Sequence, residues 1–210
     1  VEIVNSAAQA RTLQIVDGLP QVLPYGLNQW AVKFMSRTSE AFMRVEGVDE
    51  RLAFYRLAVW PTDSAQVERV IAGNFFAGFL DGKRTAVLVD PERVFGRAGD
   101  LARPLNLGAG ARLDLANQVV ANQTPAAFQV LDLQLQPGER RVFYGLYGHA
   151  ATREALERFV AEIETADYFE ARREVNRRLI AGITRRVFTA TANPRFDAHV
   201  RQCYLDNGLR

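Results

Sequence analysis

Paired carboxylates drive glycosidic chemistry, one as the acid and the other as base or nucleophile. Five acidic residues of this chain are candidates by type: Asp81, Asp90, Glu92, Asp100 and Asp114. Each sits in a turn-like or polar stretch, which reads as a solvated or capping role rather than an acid facing a base. Only two histidines occur, His149 and His199, and no HExxH spacing accompanies them. They read as surface or capping residues and give no metal site. There is no Gly-x-Ser-x-Gly elbow, and the lone Cys203 has no activating group evident in the sequence around it. Gly108-Ala109-Gly110 leads into strand-like rather than helix-like sequence, so it lacks the helix N-terminus that cradles a dinucleotide phosphate. No cofactor is therefore expected.

Other residue types offer binding rather than catalysis. Trp30, Trp60, Tyr25, Tyr55 and Phe75 could stack on sugar rings, although aromatic side chains in strand-rich domains more often fill the core. Arg172, Arg173, Arg177, Arg178, Arg185 and Arg186 recur along one helical stretch and read as a solvated, ion-paired face rather than an anion site. Asp206, Asn207 and Arg210 cluster where a helix is expected to stop at Gly208. The plain reading is a helix cap with a solvated tail. The functional reading is sugar recognition, since the carboxylate and amide match paired hydroxyls and the guanidinium supplies a planar fork.

The elements that must position these residues change period along the chain. Up to about Gly148 the pattern is strand-like, and beyond it the apolar residues fall at helical intervals, as in Leu156, Phe159, Val160 and Ile163. Strands are expected over residues 10–18, 41–46, 51–60, within 67–80, and over 85–89, 112–120, 126–135 and 140–147, with turns at Asp17-Gly18, Asp81-Gly82 and Pro137-Gly138. Gly73 and Gly78 mark bulges or close backbone approaches. One interruption is expected: Leu27, Trp30, Ala31, Phe34 and Met35 have i, i+3, i+4, i+7, i+8 spacing, which predicts a short helix near 28–38 packing Trp30, Phe34 and Met35 inward. Helices follow, the first capped by Thr152, the second by Asp167, the third from Arg195 after Asn193-Pro194. Strands followed by helices give a mainly β fold: a β-sandwich over 1–148, then an α-helical linker over 149–210.

The 210 residues, 48% of them hydrophobic, suffice for a real core. The net charge of +2 gives no reason to propose nucleic acid, and no apolar run reaches the ~18 residues of a membrane helix. One cysteine forbids an internal disulfide and suits a reducing cytoplasm. The sequence opens on Val1-Glu2-Ile3-Val4-Asn5, strand-like and without an initiator Met, and is expected to be part of a longer chain.

Three stretches resemble a known family. Ile15-Val16-Asp17-Gly18-Leu19-Pro20-Gln21-Val22-Leu23-Pro24-Tyr25-Gly26, Asn193-Pro194-Arg195-Phe196-Asp197, and the run from Arg201 through Cys203, Asp206 and Gly208 to Arg210 resemble bacterial enzymes related to cellobiose phosphorylase. The branch is that of cyclic β-1,2-glucan synthase and the β-1,2-oligoglucan phosphorylases. The resemblance spans essentially all 210 residues. It implies a supersandwich of the galactose-mutarotase-like kind, incomplete at its N-terminus and joined by helices to an α/α toroid that lies beyond Arg210 and holds the catalytic acid. The implied reaction of the full-length enzyme is inverting phosphorolysis, with inorganic phosphate as co-substrate and nucleophile. This part would then have no catalytic residue. Its partners would be a β-glucan oligosaccharide and the toroid, with a homodimer admitted. Its location would be the cytoplasm, or the cytoplasmic part of a membrane-anchored synthase. The competing class is a free-standing carbohydrate-binding module, which needs an exposed aromatic platform.

Overall fold

The computed structural model describes residues 1–62, 64–97, 100–108, 110–165 and 167–209. The chain forms two compact units, Val1–Thr165 and Ala166–Arg210. The first contains strands β1 (Glu2–Val4), β2 (Arg11–Leu19), β3 (Met43–Glu46), β4 (Ala53–Leu57), β5 (Gly73–Leu80), β6 (Lys83–Arg84), β7 (Ala86–Leu88), β8 (Ala127–Leu135) and β9 (Arg140–Ala150). All pair antiparallel, in one sheet of order β1-β9-β5-β4-β3 with β6 on β5, and a second of order β2-β8-β7. The Asp81-Gly82 turn takes the chain from β5 to β6. Thr85 then donates its backbone N–H to Gly78 (2.9 Å), and the chain leaves for the second sheet.

Strand β8 shows how the sequence sets the packing. Its odd positions Ala127, Gln129, Leu131, Leu133 and Leu135 are all buried. Ala127 shares a core with Val45, Tyr55 and Phe76 of the larger sheet, and Leu131 to Leu135 share one with Phe143 of β9. The even positions split. Phe128 and Val130 are buried with Val94, Phe95, Leu113 and Leu115, whereas Asp132 and Gln134 are exposed. The segment between β7 and β8, with the short helix α1 (Glu92–Phe95), thus covers only one end of this face. A continuously buried run, apolar except for Gln129, marks the covered end, and alternation marks the open one.

That segment corrects one expectation. Residues 112–120 alternate like a strand but form none. Leu113 and Leu115 use the alternation to pack on the sheet, while backbone N–H groups are satisfied by side chains: Leu113 by Gln14 Oε1 (2.8 Å), Ala116 by Asp114 Oδ1 (2.9 Å) and Val119 by Asp90 Oδ2 (3.1 Å). Nor is Asp17-Gly18 a turn, because β2 runs through both residues to Leu19, paired with β8 along its whole length. After β9, helix α2 (Arg153–Ile163) is capped as expected, Thr152 Oγ1 accepting from Ala155 N (3.1 Å). It lies against β9 and buries Leu156, Val160 and Ile163.

The second unit consists of α3 (Tyr168–Thr184) and α4 (Pro194–Leu209), packed on each other, and neither contains a buried residue. Asp167 precedes α3 but makes no side-chain cap bond. Asn193 caps α4, its Oδ1 accepting from Arg195 N (3.1 Å) and Phe196 N (3.3 Å).

Candidate functional site

Four of the five candidate acids are placed as braces. Asp90 is buried and accepts from Glu92 N and Val119 N (both 3.1 Å) and from Gln123 Nε2 (3.3 Å), which pins the start of α1 to the following segment. Asp90 and Asp114 approach the same guanidinium, Arg93, at 3.5 and 3.2 Å. This is an ion-pair arrangement, with a cation held between two carboxylates rather than an acid opposite a base. Asp81 lies in its turn with Arg141 at 2.6 Å, Asp100 accepts from Ala102 N (3.0 Å), and Glu92 is exposed in the first turn of α1.

One polar cluster was not legible in the sequence. Gln129, fully buried, donates from Nε2 to Asp17 Oδ2 (3.0 Å) and accepts from Thr85 Oγ1 (3.3 Å). Gly78 and Gly145, partners in the β5·β9 register, leave the space for it. A Cβ at Gly78 would stand 2.5 Å from Gln129 Oε1. Nearby, Tyr147 donates to the Ala127 carbonyl (3.4 Å), and burial together with the Asp17 charge pushes its pKa up to about 12. Burial also raises Tyr55, which donates to the Ala126 carbonyl (3.0 Å), well above the usual tyrosine value.

A pH dependence follows. Tyrosines of the unfolded chain ionise near 10, whereas Tyr55 and Tyr147 keep their protons in the fold. The unfolded state therefore sheds protons first, so stability is unaffected below pH 10 and falls as pH rises from 10 toward 12. Urea midpoints measured from pH 9 to 12 should decline over that window, less steeply in Tyr147→Phe. A decline of equal slope in the variant would contradict the assignment.

The aromatics divide in a way that corrects the expected inward helix. Tyr55 and Phe75 are core, but Trp30 is 44% exposed and Phe34 63% exposed, while Ala31 is completely buried. The segment starts as helix, with Asn28 Oδ1 accepting from Ala31 N (2.8 Å), but winds as a π turn over Ala31–Met35 and then as a 3₁₀ helix over Ser36–Phe42. The i, i+3, i+4 set shares one face only at 3.6 residues per turn. The wider and tighter windings fan it out, and the Trp30 and Phe34 rings, 5.9 Å apart, face solvent.

Opposite this segment, Val59 bridges to Arg69, and Trp60 N donates to the Glu68 carbonyl (2.9 Å), which closes the intervening loop. The two walls enclose a groove of about 440 Å³ lined by Trp30, Met35, Phe42, Trp60 and, along the loop, Thr62, Ser64 and Gln66. Tyr25 supports Trp60 edge-on (centroids 6.0 Å apart) and packs on His149 (4.6 Å).

In the C-terminal motif, Asp206 Oδ1 accepts from Gln202 Nε2 (2.8 Å) and Asn207 is exposed on α4. Arg210 lies outside the described residues. Gly208 does not stop the helix, which continues to Leu209. A Cβ there would meet only Ile183 Cγ2, at 3.7 Å, an ordinary contact, so nothing forces an ending. Asp206 and Asn207 thus stand within the helix as expected, and only the stop at Gly208 is corrected. The sequence reading also missed that Cys203 Sγ lies 3.5 Å from His199 Nε2; their i, i+4 spacing was the available signal.

Among the described residues, no group of three or more His, Cys, Asp or Glu could hold a metal ion, and no helix is long and apolar enough to cross a membrane. No family model matches this chain, and no curated protein matches it either.

Proposed function

We propose that this chain is the non-catalytic sandwich and helical linker of a carbohydrate-active enzyme acting on β-linked glucans, of the inverting phosphorylase or cyclic β-1,2-glucan synthase type. In this reading the two sheets are the faces of one supersandwich of the galactose-mutarotase-like kind, and the helices lead to an α/α toroid. The supporting observation is the core shared by Val45, Tyr55 and Phe76 of one sheet with Val87 and Ala127 of the other, followed by helices in the order the resemblance implies. The toroid supplies the acid that protonates the leaving oxygen, and phosphate attacks the anomeric carbon. This chain braces that domain and shapes the cleft, with Asp206, Asn207 and Arg210 as sugar contacts.

A second reading, a free-standing carbohydrate-binding module, draws on the exposed Trp30 beside its groove.

Release of glucose 1-phosphate from β-1,2-glucan and phosphate tests the first reading. The 210-residue chain should give none and the intact enzyme should give it readily. Asp206→Ala in the intact enzyme should raise KM for glucan about tenfold, the loss of a hydrogen bond to a charged group, without lowering Tm. Turnover by the chain alone, abolished by mutating one of its own carboxylates, overturns the proposal. So does an intact enzyme inactive on β-glucans.

A further inference from the structure

We infer that the groove between the helical segment 30–42 and the loop following Trp60 is a binding subsite for a neutral sugar ring, stacked on Trp30. The inference rests on the carbohydrate reading above and adds a place and a chemistry to it. The groove's volume, about 440 Å³, lies in the range of small-molecule sites. Its walls are aromatic and aliphatic: two indoles, Phe42 and Met35. On its loop side Pro61 and Val67 stand beside the uncharged polar residues Thr62, Ser64 and Gln66. Thr62 Oγ1 accepts from Ser64 N (3.3 Å) and Ser64 Oγ accepts from Gln66 N (3.1 Å), so these side chains shape the loop through their oxygens and keep their O–H protons to donate.

That combination selects among ligand classes. Among the described residues lining the groove there is no guanidinium or ammonium to hold an anionic ligand. A purely apolar segment would cover the two hydroxyls and the amide without partners, at the desolvation cost of each. A pyranose ring has a C–H face for an indole and an equatorial edge of hydroxyls for Thr62, Ser64 and Gln66. Trp30 is suited to the stacking position, since the π turn that buries Ala31 turns the indole outward and leaves it 44% exposed.

The chain provides its own probe. It has two tryptophans, Trp30 and Trp60, and both line this groove. Indole emission therefore reports on the groove, while calorimetry reports on binding anywhere on the chain. Titration with a β-1,2-linked glucose hexasaccharide should change the emission and give heat with one common Kd. Trp30→Ala should weaken that Kd at least tenfold, and Gln66→Ala severalfold. Should Trp30→Ala fail to fold, Trp30→Phe and Gln66→Ala carry the test, and normal affinity in both overturns the inference. Heat with unchanged emission overturns the groove assignment and leaves the carbohydrate reading standing. Neither heat nor an emission change overturns the inference, while the enzyme reading stands or falls by its own assay of glucose 1-phosphate release. Tighter binding of an apolar decapeptide than of the sugar, read by the same emission, overturns the choice of ligand.

Discussion

Replacing Gly18 with alanine should destabilise the first unit by about 3 kcal/mol or more, the sum of backbone strain and forced separation of two strands. Gly18 lies inside β2 at φ +149°, which L side chains rarely adopt, opposite Phe128 in the β2·β8 register. A Cβ there would overlap the Ala127 carbonyl oxygen and stand 2.9 Å from Phe128 Cα. Both obstacles are backbone, so no rotamer change relieves them. The ladder must open, and with it the cores on both faces of β8. Gly138→Ala is the control: its φ is +75° in the turn before β9, but nothing lies within 4 Å, so only the left-handed strain of about 1 kcal/mol applies. Urea unfolding of the two variants should separate them clearly. Equal midpoints would mean that β2 does not approach β8 as described.

The same glycine shows what could be read from the sequence and what could not. Asp17-Gly18 has the composition of a turn, and only the strand packed against it shows that the glycine serves a close approach. Gly73 and Gly78, set within an apolar run, were legible as bulges or close approaches, and the fold makes them close approaches to side chains. A Cβ at Gly73 would fall within the Phe54 ring, and one at Gly78 on the Thr85 and Gln129 side chains. Period is a record of burial rather than of hydrogen bonding, which is why 112–120 alternates without being a strand and why an α-spaced set at 27–35 winds as π and 3₁₀. The Thr152 cap and the β8–β9 turn were legible because each is local chemistry. Of the candidate site, the aromatic residue types were legible and their exposure was not. Trp30 and Trp60 are brought together by a bridge between residues 59 and 69 and by a helical winding that no spacing rule encodes.

Gln129→Glu should produce the other large effect, and one that depends on pH. Gln129 lies in an otherwise apolar stretch of β8, where composition gives no sign that an amide is required. In the fold it is fully buried, with Thr85 donating to its Oε1 and its Nε2 donating to Asp17 Oδ2 at 3.0 Å. A glutamate side chain keeps the shape and the bond from Thr85. It replaces the donor with a second carboxylate oxygen against Asp17, in a space set by Gly78 and Gly145 that admits no extra group. Leaving an uncompensated charge there should cost about 3–5 kcal/mol at pH 7. The two carboxyls then hold one proton in common, and the pKa of the introduced carboxyl in the fold rises above its unfolded value of about 4.3. A group raised in this way gives its full contribution below the unfolded value and loses it as pH rises through the folded one. The deficit relative to the natural protein, measured at each pH, should therefore be small near pH 4 and grow toward 7. Gln129→Leu removes the hydrogen bonds without adding charge, so its cost of about 1–3 kcal/mol should not vary over that range. Adding Asp17→Asn to Gln129→Glu restores a donor facing the carboxylate and should recover most of the loss at pH 7. A deficit in Gln129→Glu that stays flat with pH, or that the second substitution does not relieve, would show that the half-buried Asp17 is not joined to Gln129 as described.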